Sequence, residues 1–424
     1  MTAPISDSMK TTRRKAIKSV GSLLAGSAAS SLGLLPGRTQ AEEEKPADEL
    51  PFVLLPYLQN PAPDGMTVYF LTREASDVAV FWTKEGERQA TQTPAKSTAI
   101  PGTPWIRWKV RLTGLKPGTA CQYQVHYSLA ATKRQSKAYR FVTPDPAAHE
   151  MRAAVFNDIH DHRETIAAVM AHVKPSDFDF TIFNGDMIND PSPKDGARHV
   201  LELWNFYVGL LEGHSKPIVF VRGNHELRGG FTNRLPYLFD LPNLTFTDKP
   251  EDQQWQFEMP VGPVHFITMD TGEDDDLTTP EDSYKRPKFW QAFRKRQAEW
   301  LEKRVAAKSG SGKPCRVFVG HIPLHNPASW FSVTSRDYWM PHLKKANIAL
   351  MLAGHDHSWK FLPAGKTFEI KGRNGEQDTP AIPVMIGGGP AMSQGTVILL
   401  RADAKTLSAR MLDCNGKLLH SFTA

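Results

Sequence analysis

The chain has 424 residues, 40% hydrophobic and 23% charged, the composition of a soluble globular protein with length enough for two domains. Its formal charge of +6 does not mark a nucleic-acid or membrane surface. In residues 1–41, Lys10, Arg13, Arg14, Lys15, Lys18 and Arg38 face Asp7 alone, so six cations less one anion leave about +1 for the rest. Cys121, Cys315 and Cys414 are too scattered for a disulfide framework or a zinc–thiolate site, and read as buried small apolar residues.

Residues 1–41 open with Thr12-Arg13-Arg14-Lys15-Ala16-Ile17-Lys18, continue through a Gly/Ser-interrupted apolar stretch from Val20 to Leu35, and end in Thr39-Gln40-Ala41, a small-x-small cleavage pattern. This resembles a bacterial twin-arginine signal, with Ala16 where Phe is usual. It implies export of a folded protein to the periplasm or medium, with the twin-arginine machinery as a partner. With no Cys near the cleavage point and no later apolar run of roughly 20 residues, no stable membrane anchor is expected. Residues 42–50 are a short charged linker.

From residue 51 to 146 the pattern is all-β. Ile106, Trp108, Val110 and Leu112 alternate with Trp105, Arg107, Lys109 and Arg111; Met66, Val68 and Phe70 alternate likewise. Pro63-Asp64-Gly65 and Lys116-Pro117-Gly118 supply turns. The stretch from Leu112 to Thr119, then Tyr123-Gln124-Val125 and a closing Tyr139–Val142, resembles a fibronectin type III sandwich, although Cys121 stands at the usual corner tyrosine. A supporting role is favoured over carbohydrate or partner binding, because no aromatic cluster breaks the alternation.

Residues 147–424 alternate strands and helices, a layered α/β domain. Apolar runs occur at Ala153–Phe156, Phe178–Phe183, Ile218–Val221, Val264–Ile267, Val317–Val319 and Ile348–Leu352, with helices predicted over Glu164–Val173, Val200–Leu211 and Phe289–Val305. The segments just after five of these runs carry the chemistry: Asn157-Asp158-Ile159-His160, Asn184-Gly185-Asp186, Arg222-Gly223-Asn224-His225-Glu226, Gly320-His321 and Gly354-His355-Asp356-His357. Ligands of open α/β sheets bind beyond the carboxyl ends of strands, so five strands deliver Asp, His and Asn to one rim. Carboxylate, imidazole and amide oxygen without thiolate suit Mn, Fe or Zn. Two divalent ions about 4 Å apart repel by roughly 17 kcal/mol at a dielectric near 20, so a pair needs a shared anion, and Asp186 fits that place.

The ordered set Asp-x-His, Gly-Asp, Gly-Asn-His-Glu, Gly-His and Gly-His-x-His resembles the calcineurin-like metallophosphoesterase superfamily over about Arg152 to Phe422. The resemblance implies a two-sheet α/β sandwich with a dinuclear centre. One metal would be held by Asp158, His160, Asp186 and His357, the other by Asp186, Asn224, His321 and His355, with His225 as acid or oxyanion donor beside them. It implies hydrolysis of a small phosphate ester by metal-activated hydroxide. The preceding β-sandwich is similar to that of purple acid phosphatases. That branch has Tyr where this chain has Asn189 and lacks a counterpart of His160, so the iron–tyrosinate colour and an obligate ferric ion are not expected.

Arg228 is read as a phosphate-contacting cation, with a solvated loop charge as the alternative, and His325 as a substrate or second-shell group. Asp161 and Asp356 are expected to orient their neighbours, His265 to be structural, and Glu273-Asp274-Asp275-Asp276 to be a solvated acidic loop. Phosphomonoesters are the expected substrates by analogy with the sandwich-bearing branch. Diesters are the alternative, because Asp-x-His members include diesterases. A non-catalytic binding module is the third reading, opposed by the complete ligand set.

Overall fold

The computed structural model describes residues 52–191, 196–247, 252–273, 287–306, 315–327, 333–371 and 375–424. The expected leader and its cleavage point lie outside these residues.

The all-β region holds β1 (Phe52–Ala62), β2 (Gly65–Thr72), β3 (Ser76–Lys84), β4 (Thr91–Pro94), β5 (Lys96–Ala99), β6 (Ile106–Thr113), β7 (Ala120–Leu129), β8 (Thr132–Gln135) and β9 (Tyr139–Val142). They form two antiparallel sheets, ordered β1-β2-β6-β5 and β4-β3-β7-β8, with β9 added to β7. Period-2 alternation does what it predicts: Trp108, Val110 and Leu112 pack with Met66, Val68 and Phe70 against Val80, Trp82, Tyr123 and Val125 of the facing sheet.

The other face of β6 is not left to solvent. Lys109 pairs with the buried Asp240, the Arg107 guanidinium lies 4.8 Å from the Phe246 ring centre, and Arg111 donates to the Asn60 carbonyl. On β1, Leu54 and Tyr57 join Tyr69, Leu71, Ile100 and Trp105 in the core that fills the second domain. The Leu55 N–H donates to Asn205 Oδ1 at 2.8 Å, and the Leu58 N–H to the Gly213 carbonyl at 2.9 Å. Asp240 is the hub of this junction. Its carboxylate accepts from Thr67 Oγ1 at 2.7 Å, Asn60 and Lys109, while its N–H donates to Gln59 Oε1. Asp240→Ala should strand these donors and lower stability by about 2–4 kcal/mol. An unchanged urea midpoint would show that the junction is energetically neutral.

The second domain contains β10 (Glu150–Phe156), α1 (Arg163–Met170), β11 (Phe180–Asn184), α2 (Gly196–Leu210), β12 (Ile218–Val221), β13 (Phe257–Val261), β14 (Val264–Met269), α3 (Pro287–Ala306), β15 (Cys315–Gly320), α4 (Val333–Leu343) and β16 (Ile348–Ala353). It ends with β17 (Lys360–Leu362), β18 (Phe368–Glu369), β19 (Gln377–Asp378), β20 (Val384–Ile386), β21 (Thr396–Asp403), β22 (Leu407–Asp413) and β23 (Leu418–Thr423). Two six-stranded mixed sheets result, β12-β11-β10-β21-β22-β23 and β13-β14-β15-β16-β20-β17. Val155 and Phe183 of the first share a core with Phe266, Val317 and Leu352 of the second. On the far side of the second sheet, Leu301 of α3 and Trp339 and Leu343 of α4 cover Phe318 and Met351. Of the expected α3 stripe, Phe293 and Leu301 are buried and Trp300 half-buried, and the Phe289 side chain is outside the described residues.

Within each sheet the strands that matter run parallel: β10, β11 and β12 in one, β14, β15, β16 and β20 in the other. Parallel pairing sends their carboxyl ends to one edge, which is why loops far apart in sequence meet there.

Candidate metal centre

Asp158 and Asp186 follow β10 and β11 and are fully buried. Asp158 Oδ2 is spoken for, accepting from Asn157 Nδ2 at 2.6 Å and the His355 N–H at 2.7 Å. Its Oδ1 has no hydrogen-bond partner although it is buried. Around Oδ1 stand His357 Nε2 at 3.4 Å, His160 Nε2 at 3.7 Å and His321 Nε2 at 3.8 Å. These gaps are long for hydrogen bonds and close to the roughly 3–3.5 Å between two ligands of one metal bound at about 2.1 Å each. The donor set therefore fits a cation.

Three groups of donor atoms form: Asp158, His160 and His357; His160, Asp186 and His225; Asp186, His321 and His355. Asp186 belongs to two of them, with Oδ2 at 3.0 Å from His321 Nε2 and 3.5 Å from His160 Nε2. Asn224 joins the third, its Oδ1 lying 3.0 Å from His355 Nδ1. The seven residues singled out as ligands, Asp158, His160, Asp186, Asn224, His321, His355 and His357, thus come together, and His225 with them. His321 Nδ1 meets the Asn184 carbonyl at 2.8 Å, which places its proton there and turns Nε2 inward.

The backbone is contorted to do this. Asp158, His160, Asp186, His355 and His357 all have φ between 44° and 73°, the left-handed region that non-glycine residues avoid. Glycines let the loops close up: a Cβ on Gly354 would stand 2.3 Å from Asp158 Oδ2, and one on Gly387 1.9 Å from Asn157 Oδ1.

Several supporting residues escaped the sequence reading. Glu226 is fully buried and accepts from the N–H groups of Asp186, Met187, Ile188 and Gly223 at 2.8–3.1 Å, fixing the Asp186 loop. Burial and the neighbouring Asp186 charge push its carboxyl up to about 7. Asp190 holds His225 Nδ1 at 2.7 Å. Asn157 ties Asp158 to the Gly388 carbonyl. The run Gly387-Gly388-Gly389 after β20, and the Glu closing Gly-Asn-His-Glu, were the available signals.

Other expectations fare differently. Glu273 is not a solvated loop acid: it is buried and pairs with Arg228, while Asp274 to Asp276 lie outside the described residues. Arg228 is not a solvated loop charge either; besides Glu273 it reaches His225 Nε2 at 3.1 Å. His325 is in none of the three donor groups; its Nδ1 meets Asp378 Oδ2 at 2.9 Å. Asp356 accepts from Asn326 and Lys360, and Asp161 accepts from the Asn189 N–H. His265 is buried beside Glu258 at 3.1 Å.

Electrostatics match a site built for cations. Burial alone would raise Asp158 and Asp186, but the histidines, His321 foremost, outweigh it and hold Asp158 far below the usual carboxylate range and Asp186 near 2. Burial would lower His321, yet Asp186 and Asp158 drive it up to about 10. In the metal-free protein the His321 contribution to stability is therefore complete below pH 6.5 and lost as pH rises through 10. A metal held at His321 Nε2 would displace that proton. Thermal unfolding with chelator should show a fall in stability from pH 6.5 to 10 that excess metal suppresses. Parallel pH curves with and without metal would refute this.

Converging Asp and His donors at the carboxyl edge of two mixed sheets form a candidate metal site. Residues 151–359 match the family model described as calcineurin-like phosphoesterase, a match that supports a metal-dependent phosphoester hydrolase in general. No curated protein matches the chain. Similar solved structures include TT1561 of Thermus thermophilus, at 13% identity over 64% of this chain and 98% of that one, TM-score 0.33. Others are a Br derivative of BhCBM56, at 16% over 20% and 88%, TM-score 0.17, and a cycloalternan-forming enzyme from Listeria monocytogenes with a pentasaccharide substrate, at 18% over 24% and 9%, TM-score 0.18.

Proposed function

We propose that the protein is an exported phosphoesterase with a two-metal centre of Fe, Mn or Zn, acting on phosphomonoesters. The observation that carries this is the buried Asp158 Oδ1, which has no hydrogen-bond partner and faces three histidine Nε2 atoms, beside His321 Nε2 at 3.0 Å from Asp186 Oδ2. Asp158, His160, Asp186 and His357 would hold one ion, and Asp186, Asn224, His321 and His355 the other. Bound ions of this kind supply a water acidified from 15.7 towards about 7 and positive charge for the phosphoryl oxygens.

The chain's own residues do the rest. Asp186 sits between the two donor groups, held in place by Glu226 and by the His225 N–H on its Oδ1 at 2.9 Å. His225 directs Nδ1 to Asp190 and Nε2 into the site, 3.9 Å from Asp186 Oδ2. As general acid, His225 would carry a proton on Nε2 and give it to the leaving oxygen, ending as neutral imidazole, with Asp190 at Nδ1 orienting the ring and balancing the imidazolium beforehand. Arg228 offers a donor beside it. The twin-arginine leader accounts for the route out of the cytoplasm. The N-terminal sandwich, fibronectin type III-like in its sequence, acts as a support for the second domain.

The test is metal content of the purified mature protein together with rates on p-nitrophenyl phosphate and bis-p-nitrophenyl phosphate. About two metals per chain and faster monoester turnover support the reading; faster bis-ester turnover replaces it with a diesterase. No metal and no turnover of either would leave a binding module.

A further inference from the structure

Arg228 and Glu273 are distant in sequence and meet beside the centre. Glu273 takes the guanidinium edge-on: Oε2 accepts from Nε at 2.8 Å and Oε1 from Nη2. The acid itself cannot shift. It is fully buried, its carbonyl accepts from Arg294 Nη2 at 2.8 Å, and the preceding Gly272 lies so close to Trp290 that a Cβ would stand 2.5 Å from the ring. With Nε and Nη2 engaged, Nη1 becomes the corner that faces the centre, 3.1 Å from His225 Nε2.

A buried carboxylate at contact distance cancels much of the Arg228 charge at longer range. What remains is a donor fixed in direction, which is a device for recognition more than for attraction. A phosphomonoester presents three terminal oxygens at phosphorus. A diester presents two, and puts a substituted oxygen with its carbon group in the third place.

The geometry points to the Glu273–Arg228 pair as the element that selects phosphomonoesters over diesters. Nη1 donates to the third terminal oxygen, taking it as acceptor in place of His225 Nε2, and a diester meets the same guanidinium with bulk. Arg228 is the substrate-contacting group, and Glu273 is a positioning residue that acts only through it. The inference rests on the monoester reading above.

The experiment compares kcat/KM on p-nitrophenyl phosphate and bis-p-nitrophenyl phosphate for the metal-loaded full protein and its Arg228→Ala, Glu273→Gln and double variants. A charge-assisted hydrogen bond lost to Ala should cut monoester kcat/KM about thirtyfold. Bis-ester turnover should change less than about threefold, since no bond to it is lost. Glu273→Gln should weaken the monoester about fivefold, chiefly in KM, and add nothing in the Arg228→Ala background. Competition by inorganic phosphate, read against metal content, gives the same ordering should Glu273→Gln reduce the yield of folded protein. An unchanged ester ratio in Arg228→Ala, with wild-type monoester turnover intact, overturns the inference alone. So does a Glu273→Gln effect that persists without Arg228. Wild-type turnover confined to the bis-ester, or none at all, overturns the monoester reading and this inference together.

Discussion

Asp186→Asn should lower phosphoesterase activity by at least about a thousandfold and reduce metal content to one ion or fewer per chain. The substitution is nearly isosteric, and an amide oxygen can still accept the His225 N–H that now donates to Oδ1 at 2.9 Å. What it removes is charge at the carboxylate that, among the described residues, two donor groups share. Glu226 clamps the Asp186 loop, so the neutral amide would stay where the charge was. Near-UV circular dichroism should match the wild type, since the side-chain volume is kept. A variant that retains two metals and wild-type turnover would remove Asp186 from its place between the ions.

Gly223→Ala should be almost as damaging, although it adds one methyl group and touches no ligand by substitution. The new Cβ would lie 2.2 Å from Asp186 Oδ1, 2.4 Å from the Asp186 nitrogen and 2.9 Å from Glu226 Oε2. No side-chain rotation removes this, because two of the three contacts are to Asp186, one of them its backbone nitrogen, and the third is to Glu226, which anchors it. We expect a hundredfold or greater loss of activity, on the order of a 1 Å misplacement at a reacting centre, and destabilisation of about 1–3 kcal/mol. Gly209→Ala is the control. Gly209 lies in α2 with nothing within 4 Å of an added Cβ, so it should stabilise by about 0.5–1 kcal/mol and leave turnover unchanged. Equal activity in the two variants would show that the Gly223 loop can relax.

The strand ends were legible because each apolar run stops abruptly at a polar or glycine residue, as Ile218–Val221 does before Arg222-Gly223-Asn224. Burial on both sheet faces is written in the sequence as continuous hydrophobicity. Partners across long separations are not written that way. Glu273 looked like the head of an acidic run because its neighbours in sequence are acidic, whereas its neighbour in space is Arg228. Lys109 and Arg111 alternated as a solvated face should, and a covered basic face alternates identically, since long cationic side chains bury their stems in either case. Left-handed φ at Asp158, His160, Asp186, His355 and His357 was invisible for another reason: local preference disfavours it at these residues, and only the tertiary contacts impose it.

The way β1 enters the neighbouring core bears on how the protein can be cut and recombined. Tyr57 and Leu54 complete a hydrophobic interior that begins beyond residue 150, and Asp240 collects its partners from β1, β2 and β6. A shortened chain starting at β10 would leave that interior with a missing wall. The sandwich is thus not an interchangeable cartridge, and a graft of the hydrolase onto another β module would have to carry the β1 seam with it.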